Sequence, residues 1–439
     1  MMINDSMRAG TLRSRGRPAG RWLLALATAA AALAACNTDR LLDVNAPSRV
    51  PAEIFDKPEQ ANLMVNSLIA DFECAIGSFV TVEGIISDEL ADAQLGAAAW
   101  PYDRRDANTQ PGGAYGVNSC TSNQTPGIYT PLSTARWSSE TALKRLQGWS
   151  DAQVPNRQLL IATAALYNGF SYALMGMSMC SAAFDLGKPI DQKAMFAEAE
   201  TRFTTAIDAA TAVGSGATDL LNAAYVGRAR VRLFQGNLTG AAADAAKVPP
   251  GFAFYASAGS DDNRRYNRVY AAVNQFGFYT VESLSRNLTT GGVPDPRAAV
   301  VKTSTRPADA KSTIYAATKY TSDASPIPIA RYEEAQLIRA EALGGSQAVT
   351  IVNALRAKYN LPPYTGPTDA ASIRQLIIEE RQRELFLEGF RNYDIQRFAL
   401  PLNPAPGTPY PIKGGSYGNT TCLPLPDVER YNNPNATGG

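Results

Sequence analysis

The residues from Ile373 to Phe398, IRQLIIEERQRELFLEGFRNYDIQRF, constrain this chain more than any other stretch. They combine dense charge with large apolar side chains. Asp369 precedes them as a candidate N-cap, good helix formers fill the first turns, and Gly389 is a candidate C-cap. The pattern predicts a helix from about Ala370 to Glu388, then a break and a second short helix. At about 100° per residue, Ile373, Leu376, Ile377 and Leu387 share one face. Glu380 and Glu384 fall in the middle of that face, and Arg391 would join them if the helix continued. Burying an unpaired carboxylate is expensive, so both need partners. Arg381, Arg383, Arg391 and Arg397 are the local candidates. The stretch is either a buried ion-pair lattice or an acid pair doing chemistry.

Composition narrows that choice. Histidine is absent from all 439 residues. Its absence excludes Ser–His and Cys–His mechanisms, His-ligated zinc and His-held haem, and any imidazole pH switch. An enzyme built on this chain must use carboxylates, Lys, Tyr or Ser. The apolar fraction of 45% is that of a globular protein, long enough for one elongated domain or two compact ones. Formal net charge is +1, and without the first 35 residues 36 basic side chains face 39 acidic ones. No basic stripe appears, so no nucleic-acid partner is expected. Nothing in the spacing calls for a metal or cofactor.

The N-terminus carries an address. Arg8, Arg13, Arg15, Arg17 and Arg21 form a positive region, and Trp22 to Leu33 an apolar one too short to span a bilayer. Leu33-Ala34-Ala35-Cys36 follows, a small-residue cleavage site with Cys at once after it. This resembles the lipobox of bacterial lipoproteins, which implies a signal peptide over 1–35 and acylation of Cys36. Several acyl chains on one residue give stable anchoring. No Arg-Arg pair occurs in the leader, which argues against a twin-arginine route. Asn37 is not the aspartate that retains lipoproteins at the inner membrane, which favours the outer one. Cys74, Cys120, Cys180 and Cys422 remain. Outside the cytoplasm an even set suggests two disulfides, with three pairings open; four buried thiols are the alternative.

Beyond a tether and entry segment over 36–55, the chain reads as one domain over 56–439. A helix is expected from Glu59 to about Phe79, with GIISDELADA continuing as helix or turn. Residues 96–131 are rich in Gly, Pro, Asn, Thr and Tyr, and a loop this long is usually functional or disordered. Helices are expected at Ser133–Gln147, Asn156–Ser181, Gln192–Ala212, Thr218–Gln235 and Thr239–Lys247. Ala223, Ala224, Gly227, Ala229, Ala241, Ala242 and Ala245 recur at helical spacing, as in one tetratricopeptide unit without a clean period. Residues 248–328 are irregular and aromatic-rich. Helices return at Ile329–Leu343 and Ser346–Tyr359 before the opening stretch, and a Pro-rich tail follows. The reading is all-α: an irregular tetratricopeptide-like scaffold, with helical blocks at about 132–247 and 329–398, holding long aromatic-rich loops on its surface, where function concentrates.

One family matches this order. Glu334, Arg339 and Glu341 lie in RYEEAQLIRAEAL, and Asn353 and Arg356 in TIVNALRAKY. Glu380, Arg381, Glu384, Leu385, Glu388, Gly389, Arg391, Asp394 and Arg397 follow, closed by Pro424, Pro426, Glu429, Asn433 and Pro434. With the lipobox, the pattern resembles the SusD/RagB family of surface lipoproteins, over about 110 residues strongly and over 156–247 more weakly. Ile395 and Leu425 depart slightly from the family pattern, and the polar loops match nothing in detail. The resemblance implies a helical lipoprotein on the outer-membrane surface that binds glycans or other oligomeric nutrients and lids a TonB-dependent transporter. It implies no enzyme activity, and a structural role for Glu380, Arg381, Glu384, Gly389, Arg391, Asp394 and Arg397.

Three functions are compatible with this sequence. A binding protein needs no catalytic residue, and sugar sites combine aromatic platforms with Asn, Asp and Arg. The 96–131 loop offers Trp100, Tyr102, Asp103, Arg104, Asn108 and Tyr115, with Trp100 the leading candidate; Tyr266, Tyr270 and Tyr315 are weaker ones. Packing residues are the bland alternative for each aromatic. A glycoside hydrolase would need two carboxylates about 5–9.5 Å apart. Glu380 and Glu384 could supply that spacing, but neighbouring arginines would keep both ionised. A tetratricopeptide scaffold for envelope assembly is the third reading.

Overall fold

A computed structural model describes residues 52–96, 100–107, 113–261, 263–411 and 413–436. Cys36, the leader before it and Asn108 lie outside the described residues. Helix α1 spans Ala61–Ile86, and every residue from Phe72 to Ile86 is buried. A helix that is apolar all round is a core helix, which explains why its sequence shows no clean stripe. It runs seven residues past the expected Phe79, because Val80, Val82, Ile85 and Ile86 are packed on all sides.

Five helices then stack in chain order: α2 (Tyr129–Gly148), α3 (Arg157–Ser178), α4 (Gln192–Val213), α5 (Thr218–Phe234) and α6 (Leu238–Ala245). α7 (Tyr332–Leu343) packs beside α5 and α6, α8 (Gly345–Lys358) beside α7, and α9 (Ala370–Glu384) against both α7 and α8. The small residues work as expected. A Cβ on Gly169 would stand 2.8 Å from the Phe203 ring, and one on Gly227 only 2.4 Å from it. The two glycines let α3 and α5 close on α4 from either side of that ring.

The strands are short antiparallel pairs. β1 (Leu90–Asp92) pairs with β3 (Tyr279–Val281), β2 (Ala253–Ala256) with β6 (Ile327–Arg331), and β4 (Val300–Lys302) with β5 (Tyr315–Ala317). Two expectations change here. The segment after Ile86 turns into a strand, and the helix expected from Ile329 starts at Tyr332. Ile327 and Ile329 are β-branched and bury one strand face, while β2 supplies the hydrogen-bonding edge.

All four described cysteines are paired, Cys74 with Cys120 and Cys180 with Cys422, at Cα separations of 5.6 and 5.0 Å. The first staples the irregular 118–127 loop to α1. The second ties the tail to the end of α3, where Leu423 N–H donates to Ser178 O at 2.8 Å.

The opening stretch also breaks earlier than expected. α9 ends at Glu384, and residues 385–389 form a turn before α10 (Arg391–Phe398). The carbonyls of Glu384, Phe386 and Leu387 accept side-chain donors from Arg331, Lys319 and Tyr320, so the helix cannot keep them. Gly389 is therefore not the cap of α9. Its φ is +83°, and a Cβ there would lie 2.4 Å from the Phe79 ring.

α1 carries an unusual acid at its buried end. Glu83 accepts from Asn392 Nδ2 at 2.9 Å, and nearby Glu89 accepts the Leu387 N–H at 3.0 Å. Burial pushes both carboxyls up to about 8. The folded state then holds protons that the unfolded chain releases above its ordinary value of 4.5. This contribution to stability is complete below that value and is lost as pH rises towards 8. Glu83→Gln should flatten the fall in thermal midpoint between about pH 5 and about pH 8. An unchanged pH slope in scanning calorimetry would contradict a protonated Glu83.

Candidate functional site

The acid pair of the opening stretch lies in the interior as a lattice. Glu380 is bound by Arg297 and Arg356, both at 2.7 Å. Glu384 is bound by Arg331 at 2.6 Å and Arg297 at 3.2 Å, and accepts from Tyr359 OH at 3.2 Å. Glu388 takes Arg331 at 2.8 Å and Lys319 at 2.5 Å. These partners differ from the expected ones. Arg381 and Arg397 share Asp394 at 2.8 and 2.7 Å, Arg397 also reaches Glu341, and Arg391 pairs with Asp88 at 2.6 Å. Arg383 donates to Thr289 O at 2.8 Å. Arg381 and Arg383 lie one or three residues from these glutamates on α9 and bond to Asp394 and Thr289 O, whereas the glutamates meet arginines from other segments. Burial alone would raise the Glu384 carboxyl, but Arg331 and Arg297 overcome it and hold it below the ordinary range. A general acid needs the opposite shift. Glu384→Gln leaves two buried guanidinium groups short of a partner and should destabilise the fold by about 3–5 kcal/mol. A urea midpoint close to that of the unaltered chain would refute this role.

The aromatic loops divide. Tyr102 is 2% exposed and its OH donates to Pro126 O at 2.9 Å. Asp103 is buried, accepts from Tyr410 OH at 2.7 Å and is pushed up to about 6 by burial. Tyr115 is buried as well. These three are packing residues and leave the list of ligand-facing candidates. Their core comes from the tail. Gly418 N–H donates to Arg104 O, Tyr410 lies under the Arg104 guanidinium, and Tyr417 lies under that of Arg105. Trp100 is half-buried, with Arg104 5.5 Å from its ring centre.

In the second irregular region Tyr315 is covered by Arg286 at 3.9 Å, and Tyr270 packs half-buried on the core. Tyr266 is different. Its half-exposed OH is hydrogen-bonded to exposed Asn123 and accepts from Arg268 Nη1 at 3.1 Å. The Arg268 guanidinium lies 4.6 Å over the Tyr266 ring. Arg268 is itself 3% exposed, its Nε has no partner, and burial pushes its pKa down. Arg264 and Arg265 extend the face, paired with Asp71 and Glu73 of α1.

The 118–127 loop brings these parts together. Its Gln124 carbonyl accepts from Gln94 and Tyr279, its Pro126 carbonyl from Tyr102, and Cys120 fixes it to α1. Asn123 is thereby held over Tyr266. Sequence reasoning missed Asn123 and Arg268, which gain meaning only from this meeting. It also passed over Phe276, 37% exposed and stacked on Phe278 with ring centres 5.2 Å apart. The signal was present as alternating aromatics in FGFY, just after a single π-helical turn at Ala271–Gln275. Such turns recur at functional sites.

The fold and this face define a helical-repeat protein that presents a polar, aromatic surface on pinned loops. The model of the SusD family matches residues 211–436, and the chain belongs to that family. Among solved structures, a SusD superfamily protein from Bacteroides vulgatus is 16% identical, with 87% of this chain and 98% of that one covered at a TM-score of 0.65. A SusD-like carbohydrate binding protein from the same organism is 14% identical, with 87% and 97% covered at 0.63. A laminarin binding SusD-like protein is 16% identical, with 87% and 98% covered at 0.56. At these identities the likeness establishes the fold. A search of curated proteins gave no match.

Proposed function

We propose that this protein is an outer-membrane lipoprotein, anchored through Cys36, that binds glycans and delivers them to a TonB-dependent transporter. One observation carries the binding reading: Asn123, Tyr266 and Arg268 meet on a face fixed by a disulfide. Tyr266 offers a ring for the apolar face of a sugar and Asn123 offers hydrogen bonds to hydroxyls, while buried Arg268 holds both in place from beneath. Trp100 with Arg104 and the Phe276–Phe278 pair are further candidate platforms. Membership of the SusD family supports this reading, and two fold neighbours are named as carbohydrate or laminarin binding. Glu384 is held ionised inside a lattice, which argues against the glycoside hydrolase reading built on Glu380 and Glu384. Transporter delivery rests on the family resemblance, and anchoring on the lipobox.

Calorimetry against laminarihexaose, cellohexaose and maltohexaose tests the face. Tyr266→Ala and Asn123→Ala should each weaken the bound glycan roughly tenfold while the chain stays folded by circular dichroism. Equal affinity in both variants would remove the face from the site. Cys36→Ser should shift the protein from the membrane fraction to the soluble fraction; retention there would refute anchoring through Cys36.

A further inference from the structure

A second recess lies on the lattice side of the molecule. It encloses about 510 Å³, within the range of roughly 300–1,000 Å³ common for small-molecule sites. Its wall is Tyr255 on β2, 46% exposed, with Pro326 and Pro328 beside it. Its floor is Glu333, Glu384, Glu388 and Arg331, with exposed Lys358 at the mouth. No residue of the Asn123–Tyr266–Arg268 face lines it.

The charges decide what could enter. Lys319 is bound to Glu388, Lys358 to Glu333, and Arg331 to Glu333, Glu384 and Glu388. Arg297 and Arg356 are matched by Asp295 and Glu380 beneath. Five cations thus face five carboxylates. An anion would have to displace a carboxylate from a lysine, and a cation would have to displace a lysine. A neutral molecule displaces neither. Lys358 keeps two ammonium hydrogens beyond its Glu333 bond, and its side chain is 55% exposed. Glu333 keeps lone pairs beyond those used by Arg331 and Lys358. A donor at the mouth and an acceptor on the floor therefore both line the cleft, beside an exposed aromatic ring. Vicinal hydroxyls with an apolar ring face match that arrangement.

We propose that this cleft is a second saccharide site, which seats one neutral pyranose unit against Tyr255 with hydroxyls on Lys358 and Glu333. The choice of sugar probes rests on the glycan reading above; the site itself does not use the Tyr266 face. The two are separable with the full chain labelled with 3-fluorotyrosine, Tyr255 and Tyr266 being assigned by Tyr255→Phe and Tyr266→Phe. Laminaribiose, cellobiose and maltose are titrated, with galacturonate as the anionic comparison. The proposal expects a saturable shift of the Tyr255 resonance with a neutral disaccharide, retained in Tyr266→Ala. It also expects that sugar to bind roughly tenfold more weakly to the cleft in Tyr255→Ala. A shift of Tyr266 alone overturns the second site and leaves the glycan reading standing. A shift of Tyr255 alone supports the second site and overturns the Tyr266 face. Silence of both with every neutral sugar, or a Tyr255 response to galacturonate only, overturns the proposal.

Discussion

The buried lattice around Glu380 and Glu384 holds the late part of the chain to the middle part. Arg297 lies within the irregular insert, Arg331 ends β6, Arg356 is near the end of α8, and both glutamates belong to α9. Isolated charges in such a place would be prohibitive. Here each carboxylate faces two guanidinium groups, and Tyr359 and backbone carbonyls take up further bonds. The attraction in this setting offsets desolvation only while the geometry is complete. Four chain segments are thereby fixed relative to one another, and Glu388 extends the network to Lys319 in the loop before β6.

The same network unwinds the end of α9. Carbonyls that a longer helix would keep are taken by Arg331, Lys319 and Tyr320. The resulting turn brings Gly389 against Phe79 and Asn392 against Glu83 on α1. From α1 the Cys74–Cys120 bond reaches outward to the loop that holds Asn123 over Tyr266. Interior and candidate site are thus joined through one helix. A face assembled on loops needs such pinning, since loose side chains lose entropy on binding.

The helices were legible because periodicity and small-residue spacing are local properties, and Gly227 and Ala241 sit where that spacing places them. The partners of Glu380 were not legible. Arg297 is 83 positions away, and the arginines close in sequence lie on other sides of α9 and α10. The loop aromatics failed for a related reason. Tyr102 and Asp103 look unsupported locally, yet the tail supplies Tyr410 and Tyr417 from the far end of the chain. Of the sugar-binding candidates, Tyr266 is the one the structure brings to a polar, exposed partner. Asn123 carries no sequence signal of its own; the disulfide that positions it does, but four cysteines allowed three pairings.

The central claim is that the Glu/Arg stretch is scaffold, under the pinned loops that hold Asn123 and Tyr266 and beneath the Tyr255 cleft alike. Hydrogen–deuterium exchange of the full chain, with and without the glycan it binds, tests this most directly. The account predicts slowed exchange at residues 118–127 and 263–270 on binding, with α9 and α10 already protected and unchanged. Slowed exchange confined to residues 370–398, with the 118–127 loop unaffected, would contradict it.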